Sequence, residues 1–396
     1  MNYLVTVDAF FYDFPGGAAR VAWDIAQLMR DRGHKVTIFC CWQKPEDKEV
    51  SWYEGIEVVK FQFPETFSLD PFKIQKQIRA GTRVAEKHLT HTKWDVVHIH
   101  LPIQGNIVYE LFGPAVRYVC TVHSPIVLEN KINWLSSGIA GRIKWMLGRN
   151  QIRRLEGGLL QKMNKIHTLS NFTKNSIDSF YGVGSKITVI PHWCRKDFFR
   201  QHNKQEARKI LNWPKNSKIL FSVRRFAPRM GLDIAIEALA PLLKTYSRVF
   251  FALAGTGPLE ESLKRLVYSL GVTDKIWFLG PVSDETLKRC YEASDMFIMP
   301  TLALECFGLP ILEALAFGLP VISTDAAAIP ELMKPILPDC IVPAGNVDAL
   351  MEKVRAYLEN RLDLPEEREL VNYVKERYSF EVISHRMIKF LESWAV

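Results

Sequence analysis

The sequence lacks any apolar run long enough to cross a membrane. Its longest apolar segments are broken by Gly, Pro or Glu, and none approaches the roughly 20 residues of a transmembrane helix. A strand-like segment, NYLVTVDAF, begins at residue 2 and leaves no room for the charged and apolar regions of a signal peptide. We therefore expect a cytoplasmic protein.

The sequence has only seven cysteines, and none of them forms a C-x-x-C motif. An odd number of thiols with apolar neighbours favours free cysteines over disulfides or a zinc site. The sequence contains no G-x-G-x-x-G either, so a nicotinamide-binding fingerprint is not supported. These absences exclude a disulfide scaffold and argue against an NAD-dependent dehydrogenase.

Acidic residues are outnumbered, with 43 Asp and Glu against 51 Lys and Arg. Such a balance suits an anionic substrate, an anionic membrane surface or nucleic acid, although no aromatic-plus-basic motif supports nucleic acid. Between residues 131 and 165, Glu156 is the sole acid. The segment 138–165 reads either as a membrane-surface helix serving a lipid-linked acceptor or as a helix that packs its apolar stripe inward. We prefer inward packing.

The remaining composition fits a globular α/β protein of 396 residues. NYLVTVD, a glycine loop, AARVAWDIAQLMRDRG and KVTIFCC read as strand, loop, helix and strand. The same order restarts at KILFSVRRF (218–226), which predicts two parallel-sheet halves. Further strands of the first half are predicted at 94–100, 116–123, 165–170 and 186–192. Ligands of such sheets bind outside the carboxyl ends of the strands.

The segment 304–323, LECFGLPILEALAFGLPVIS, predicts a loop, an apolar helix and a strand. Pro310 suits the first helical turn, so the backbone N–H groups of Phe307, Gly308 and Leu309 would form an anion site at a positive helix end. Glu313 lies one turn inside, and its burial requires hydrogen-bond donors. A ribose diol could supply them, and so could a structural partner such as an arginine. Chemistry alone leaves both interpretations open.

The same segment resembles the E-x7-E signature of glycosyltransferase family 4, whose members are retaining enzymes of the GT-B fold. The resemblance covers nearly the whole chain, including DFPGGAARVAWDIAQLMRDRGHKVTIF, WDVVHIH, TVHSP, VRRFAPRMGLDIAIEAL, LAGTGPLEESLKRL and FLGPVSDETLKRCYEA. It implies two Rossmann-like domains facing across a cleft. Residues 1–195 would form the acceptor domain and 196–378 the nucleotide-sugar donor domain. A C-terminal helix at 379–396 would pack back on the N-domain.

The family pattern assigns roles to both carboxylates of the signature. Glu313 is similar to the residue that binds the ribose hydroxyls of the sugar nucleotide. Glu305 resembles the residue that contacts hydroxyls of the donor sugar, helped by the backbone N–H groups of Phe307 and Gly308. The resemblance thus argues for hydroxyl recognition rather than the acid/base pair of a glycoside hydrolase.

Positive charge must meet the leaving diphosphate, because negative charge grows there as the sugar–phosphate bond breaks. Arg225 matches the family's phosphate-binding arginine. The lysine that commonly follows five residues later is Met230 in this chain. Arg229, next to it, would either supply the second charge or be a solvated loop arginine.

Other positions follow from the same resemblance. Gly16 and Gly17 open the first helix, where glycine lets a phosphate or sugar approach the backbone. Gly257 would shape the loop near the nucleotide base, although it also fits a simple tight turn, and Val282 is a further expected substrate-binding residue. His123, at a strand end, resembles the histidine that touches the donor sugar. The expected catalytic residues are Glu305, His123 and Arg225, with the other residues binding substrate.

A metal site is disfavoured. His98 and His100 would have to join His123, and we expect those two side chains to point to opposite faces of their strand. The sequence also contains no D-x-D. The family likeness therefore implies an enzyme without metal or cofactor, using a UDP-sugar as its donor substrate.

These observations predict a retaining hexosyltransferase that moves a sugar, with glucose the first choice, from a UDP-sugar to a saccharide or lipid-linked saccharide. Exopolysaccharide or cell-envelope synthesis is its natural setting, in the cytoplasm or peripherally at the inner membrane face. One alternative is a sugar-nucleotide epimerase of the same fold. The other is a non-catalytic saccharide- or nucleotide-binding subunit, which the departure at Met230 favours.

Overall fold

A computed structural model describes residues 1–13, 16–42, 48–63, 73–135, 138–199 and 203–394. The chain forms two compact units: Met1–Ile190 with Ser384–Val396, and Pro191–Ile383. Each unit has a largely parallel sheet with helices between its strands, which confirms the predicted α/β fold class. None of the described helices combines the length and apolar character needed to cross a membrane.

The first unit is built on a sheet whose order is β3-β4-β2-β1-β5-β6-β7-β8. Its strands are β1 (Asn2–Ala9), β2 (Lys35–Trp42), β3 (Val50–Tyr53), β4 (Ile56–Gln62), β5 (Val96–Ile99), β6 (Arg117–Val122), β7 (Lys165–Thr168) and β8 (Ile187–Val189). Neighbouring strands pair in parallel, except β3 with β4. The predicted strands of this half are present, each ending within a few residues of its expected bounds.

The antiparallel hairpin of β3 and β4 was not predicted. It turns at Glu54 and Gly55, both of which have positive φ angles, 49° and 80°. Two such residues form the turn whose twist matches that of the flanking strands. The Glu54-Gly55 dipeptide between two apolar runs was a sequence signal for this turn. Because we expected parallel strands throughout, the hairpin was missed.

The second unit has the sheet order β11-β10-β9-β12-β13-β14. Its strands are β9 (Lys218–Val223), β10 (Val249–Ala254), β11 (Ile276–Gly280), β12 (Met296–Met299), β13 (Val321–Thr324) and β14 (Ile341–Val342). Every pair in this sheet is parallel. The four inner strands, β9, β10, β12 and β13, are largely buried and apolar, as expected of strands covered on both faces, whereas most residues of the edge strand β11 are half-buried.

Helices alternate with the strands in both units. They are α1 (Gly17–Asp31), α2 (Lys73–Leu89), α3 (Pro102–Phe112), α4 (Ile126–Leu135), α5 (Gly138–Lys162), α6 (Asn171–Tyr181), α7 (Lys204–Ile210), α8 (Leu232–Thr245), α9 (Glu260–Ser269), α10 (Asp284–Ala293), α11 (Leu309–Ala316), α12 (Ile329–Met333), α13 (Val347–Leu358), α14 (Glu367–Tyr378) and α15 (Phe380–Glu392). Several begin at a polar side chain that accepts a backbone N–H of the first turn, as Ser170 and Ser283 do. Such caps satisfy donors that the helix itself leaves free.

The strand orders locate the ligand-binding edge of each sheet. Connections run outward in opposite directions from β1 and β5 in the first unit, and from β9 and β12 in the second. Loops that leave the carboxyl ends of such neighbouring strands diverge and create a crevice. Most of the predicted site residues follow these strands or their immediate neighbours, and Val282 follows β11, one strand farther out.

The last helix, α15, begins in the second unit at Phe380, and its residues from Ser384 onward belong to the first unit. Lys165 of β7 donates a hydrogen bond to the Phe390 carbonyl at 2.7 Å. Met387 and Leu391 are fully buried. The predicted packing of the C-terminal helix on the N-terminal domain is confirmed.

Helix α5 behaves differently along its length. Its second half buries Ile152, Leu159 and Leu160, whereas Ile139 and Met146 in its first half are exposed. The preferred prediction, that this segment packs its apolar stripe inward, is therefore correct only for the second half. The first half extends past the core that the sheet provides.

A buried carboxyl group joins α5 to its neighbours. Glu156 accepts the Ile126 backbone N–H that opens α4, at 3.1 Å, and the hydroxyl of Tyr181 at the end of α6. Burial raises the pKa of Glu156 to about 7. The folded chain therefore holds this proton more tightly than the unfolded chain does.

We expect Glu156 to make the first unit less stable as pH rises. The group binds its proton more tightly when folded, so stability falls between the unfolded pKa near 4.5 and the folded value near 7, then levels off. The loss amounts to about 3 kcal/mol. Urea unfolding of Glu156→Gln at pH 4.5 and 7.5 should lack this decline. A decline of the same size in Glu156→Gln, or its disappearance in the exposed control Glu110→Gln, would contradict the assignment.

A close backbone contact fixes the turn after β9. Gly231 has φ +66°, and a Cβ built on it would lie 2.0 Å from the Pro300 carbonyl oxygen. Gly271 has nearly the same φ, +65°, but its nearest neighbour, the Lys244 side chain, would be 4.0 Å away. The two glycines therefore separate the effect of backbone conformation from that of crowding.

Gly231→Ala should lower the unfolding free energy of the second unit by at least about 2 kcal/mol more than Gly271→Ala does. Both substitutions carry the penalty of a positive φ, about 1 kcal/mol, but only the first must push the loop after β12 away. Chemical denaturation of both variants measures the difference. Equal losses of unfolding free energy in the two variants would show that the loop at Pro300 moves away from the added methyl group at no cost.

Candidate functional site

The loop after β12 leads into α11 at the carboxyl edge of the second sheet. Gly308 precedes the helix with φ +101°, a backbone conformation that residues other than glycine rarely adopt. Among the described residues, no acceptor takes the backbone N–H groups of Phe307 and Gly308. Unused N–H groups at a positive helix end can bind an anion. The local geometry is thus the one that the sequence predicted for this helix start.

Glu313 receives a hydrogen bond from a residue that sequence reasoning did not foresee. The hydroxyl of Tyr291, on α10, donates to its carboxylate at 2.9 Å. Burial, and then the nearby Glu313 charge, raise the pKa of Tyr291 well above its usual value, so the tyrosine remains a donor. Glu313 itself is only half-buried. The protein therefore supplies a partner while the carboxylate stays accessible to a ligand.

Glu305 forms a buried ion pair with Arg224, another residue that the sequence did not single out. The guanidinium Nη2 lies 2.8 Å from the carboxylate, and the side chains are 4% and 13% exposed for Arg224 and Glu305, respectively. Arg224 directly follows β9 and Glu305 lies in the loop after β12, the two strands where the connections diverge. The available signal was the Arg-Arg dipeptide, but a sequence cannot tell which of two adjacent arginines faces inward.

The neighbouring Arg225 takes the opposite orientation. Its side chain is exposed, whereas that of Arg224 is buried. Successive residues leaving a strand point to opposite sides, so one arginine organises the interior and the other reaches solvent at the same sheet edge. Arg225 is accessible to a phosphate, and its assignment to the diphosphate stays a prediction.

The expected second cation, Arg229, is engaged by the protein. Its Nη1 donates to the Leu304 carbonyl at 3.1 Å, and Leu304 has φ +56°. A strained residue persists only where its surroundings hold it. Met230, which stands at the family's lysine position, is buried with its sulfur 2.8 Å from Arg224 Nη2. The cation at that point of the site is therefore Arg224.

Gly257 and Val282 lie after the carboxyl ends of β10 and β11. A Cβ on Gly257 would come within 2.5 Å of the Phe226 carbonyl oxygen, so packing alone requires glycine there. Val282 is half-buried and precedes the Ser283 cap of α10. Both residues border the expected edge, and their contact with the substrate stays a prediction.

In the first unit, Gly16 and Gly17 open α1 after the carboxyl end of β1. Among the described residues, no atom lies within 4 Å of a Cβ built on either glycine. Gly16 has an extended backbone with φ −161°, which any residue can adopt. The described part of the fold therefore does not demand glycine there, and it leaves room for a ligand close to the backbone.

His123 follows β6 and meets His100, which follows β5. Its Nε2 lies 3.1 Å from His100 Nδ1. His98 is buried between the hydroxyls of Tyr3 and Thr121, at 2.8 and 2.7 Å, and burial lowers its pKa. The contact between histidines steadies His123 at the sheet edge.

The predicted orientation of His98 and His100 is wrong. Their rings are 4.6 Å apart, because residues two positions apart on a strand share a face. Even so, within the described ranges no three His, Cys, Asp or Glu side chains are grouped so as to hold a metal ion.

One acidic residue of the first sheet edge remains open to solvent. Asp13 is paired with the buried Lys60 at 2.5 Å, whereas Asp8 is exposed and accepts a longer hydrogen bond from Gln104, 3.3 Å. Surrounding atoms desolvate Asp8 and raise its pKa. Of these two carboxylates, Asp8 is the one that could meet a second substrate.

Two largely parallel α/β units whose connections diverge at the carboxyl edge of each sheet have the architecture of the GT-B glycosyltransferases. A sequence profile described as "Glycosyl transferases group 1" matches residues 203–377, and one described as "Glycosyltransferase Family 4" matches residues 15–196. Together they span nearly all of the chain. The chain belongs to glycosyltransferase family 4.

Similar proteins agree with this membership. The chain is 23% identical over 390 residues to phosphatidyl-myo-inositol mannosyltransferase of Mycobacterium leprae, covering 98% of this chain and 95% of that protein. It is 24% identical over 347 residues to the GDP-mannose-dependent alpha-(1-6)-phosphatidylinositol monomannoside mannosyltransferase of Mycobacterium tuberculosis, covering 85% and 84%. The crystal structure of Anabaena HepE in complex with UDP and glucose has the same fold, with a TM-score of 0.76, 17% identity and 100% of both chains covered.

Removing one partner of the buried pair should destabilise the second unit more than removing both. Arg224→Gln leaves the Glu305 charge buried without its arginine and should cost about 3 kcal/mol, whereas Arg224→Gln/Glu305→Gln should recover part of this loss. Chemical denaturation of Arg224→Gln, Glu305→Gln and the double variant completes a double-mutant cycle, which gives the interaction energy of the pair. The exposed neighbour variant Arg225→Gln is the control and should change stability by less than about 0.5 kcal/mol. Additive losses in the double variant would mean that the two groups do not interact.

Proposed function

We propose that the protein is a retaining hexosyltransferase that uses a nucleotide-diphosphate sugar, with a UDP-hexose as the first choice. The observation that carries the proposal is the arrangement at the start of α11. There, the Arg224–Glu305 pair, the half-buried Glu313 and unused backbone N–H groups lie along one sheet edge. This edge offers acceptors for sugar hydroxyls and donors for phosphate.

In this proposal each group meets a different part of the donor. Glu313, oriented by Tyr291, accepts hydrogen bonds from the ribose hydroxyls. Arg225 and the N–H groups of Phe307, Gly308 and Leu309 bind the diphosphate, because cations and helix N-termini both stabilise anions. Glu305, held by Arg224, accepts hydrogen bonds from hydroxyls of the transferred sugar. Arg229 fixes the loop that presents Glu305, in addition to any contact with phosphate.

The proposed reaction uses each of these contacts. The bond between the anomeric carbon and the diphosphate oxygen breaks, and its electron pair stays on the leaving diphosphate. Arg225 and the helix start stabilise the charge that grows there. The acceptor hydroxyl bonds to the anomeric carbon from the face that the diphosphate leaves, and its proton passes to a phosphate oxygen. The anomeric configuration is retained without a covalent enzyme intermediate, and the arginines supply the positive charge with no resident metal or cofactor.

The similar proteins point to two different donor nucleotides, UDP and GDP. HepE was crystallised with UDP and glucose, which supports a UDP-hexose, and UDP-glucose in particular. One mycobacterial relative is GDP-mannose-dependent by name, which makes GDP-mannose the main competitor. Gly257 and Val282, after neighbouring strands, would line the base pocket that distinguishes uracil from guanine.

The proposed acceptor is a hydroxyl of a saccharide or a lipid-linked saccharide, bound by the first unit near Gly16, Gly17, His123 and Asp8. The room beside the two glycines and the solvent-accessible Asp8 support this assignment. Relatives named for phosphatidylinositol-based acceptors favour a lipid-linked one. The setting would be polysaccharide or cell-envelope synthesis on the cytoplasmic side of a membrane.

We expect Arg225→Gln to weaken UDP binding by roughly 10- to 100-fold, because a charge-assisted hydrogen bond to phosphate is lost. Glu313→Gln should weaken binding of a ribose-containing nucleotide but leave binding of its 2′,3′-dideoxy analogue unchanged. Titration calorimetry measures both. Arg248→Gln, which removes an exposed arginine before the amino end of β10, is the matched charge control and should bind normally.

The same variants should be assayed for nucleotide release from UDP-glucose, other UDP-sugars, GDP-mannose and ADP-glucose. Release from one donor, lost in Arg225→Gln and kept in Arg248→Gln, supports transfer, and NMR of the product's anomeric centre tests retention. Release from a UDP-sugar without any acceptor, with an epimerised product, would favour the epimerase. Nucleotide binding without turnover on any acceptor would favour a non-catalytic subunit, and absence of nucleotide binding would contradict the proposal.

A further inference from the structure

A patch of large apolar side chains lies open to solvent where α4 ends and α5 begins. We call it the apolar face; it consists of Leu135, Ile139, Ile143, Met146 and Leu147. Ile139, Met146 and Leu147 are 79%, 62% and 72% exposed. The four residues on α5 fall within an arc of about 100° on the helix. Contiguous exposed apolar surface of this kind marks an interaction site more often than scattered residues do.

Cations border this face, and the helical segment that carries it has no acidic residue. The sequence from Lys131 to Leu155 contains no Asp or Glu. Arg142, Arg149 and Arg153 are exposed along one border of the apolar arc. Lys73, at the start of α2, lies close enough for its charge to act on Lys144 of α5. The same surface therefore combines apolar side chains with a concentration of positive charge.

The face is carried by two helices that pack closely against each other. Trp134 of α4 and Trp145 of α5 meet edge to face at 6.4 Å, and Lys144 lies over the Trp134 ring at 4.9 Å. A Cβ on Gly148 would come within 2.9 Å of Trp134, so the two helices are in close contact. Glu156 and the buried second half of α5 attach them to the core. The exposed side chains thus belong to a closely packed helix pair that is attached to the core.

We propose that this face binds the surface of an anionic lipid bilayer. Apolar side chains would enter the acyl boundary while the bordering arginines and lysines contact anionic headgroups, the pattern of a helix lying in a membrane interface. Trp134 and Trp145 suit the headgroup level, where tryptophan is favoured. A second copy of the chain is a poorer occupant, because a symmetric contact would bring two sets of these cations together.

This inference does not depend on the nucleotide site, since vesicle binding is measured without any substrate. The full chain is mixed with phosphatidylcholine vesicles that contain 30% phosphatidylglycerol or none, and the bound fraction is measured by sedimentation. We expect binding only to the anionic vesicles, weakened by 0.5 M NaCl because salt screens exposed charges.

Two variants test the two components of the face. Arg142→Gln/Arg149→Gln should lower the partition coefficient about 25-fold, at about fivefold per cation. Ile139→Gln/Met146→Gln/Leu147→Gln should lower it at least about tenfold through lost apolar burial. All five side chains are exposed, so the thermal unfolding midpoint should stay unchanged.

Matched controls come from the second unit. Arg248→Gln/Arg265→Gln removes two exposed arginines, and Tyr268→Gln removes a tyrosine that is 80% exposed; both should bind vesicles like the unaltered chain. Equal binding to neutral and anionic vesicles, or equal weakening by variants and controls, would overturn the proposal. So would concentration-dependent dimerisation that the apolar variant abolishes while vesicle binding is absent.

Discussion

The buried contact between Arg224 and Glu305 is the interaction on which the candidate site depends. It joins the loops after β9 and β12, the two strands from which the chain's connections diverge. Neither charge is stable inside the protein alone, so each holds the other in one position. A carboxylate fixed in this way is ready to accept hydrogen bonds from a sugar without first reorganising.

The surrounding contacts reinforce that position. Arg229 binds the carbonyl of the strained Leu304, and the Ala328 backbone N–H donates to the Glu305 carbonyl at 3.1 Å. The Gly231 turn also lies against Pro300 with no space for a Cβ. Several independent contacts thus determine the path of one short loop. Arg225, whose side chain is exposed, and the start of α11 lie beside this loop.

Positive charge has two separate uses in this chain. In the second unit, single arginines are placed at strand ends, one buried against a carboxylate and one exposed at the same edge. In the first unit, cations are spread along α5 beside exposed apolar side chains. In the functions that we propose, the first arrangement binds a compact anion through its geometry, and the second binds an extended anionic surface through its total charge. The net charge of +8 reflects both.

Apolar periodicity and turn residues determined the order of strands and helices along this chain, because a buried sheet and its covering helices impose their periods locally. They also placed Glu313 near a helix start and predicted an anion site there. Only the tertiary structure decided that Arg224 rather than Arg225 faces Glu305, that Tyr291 is the donor to Glu313, and that half of α5 stays exposed. Each of these outcomes depends on which segments, distant in the sequence, lie side by side in the fold. Local sequence patterns do not specify such contacts.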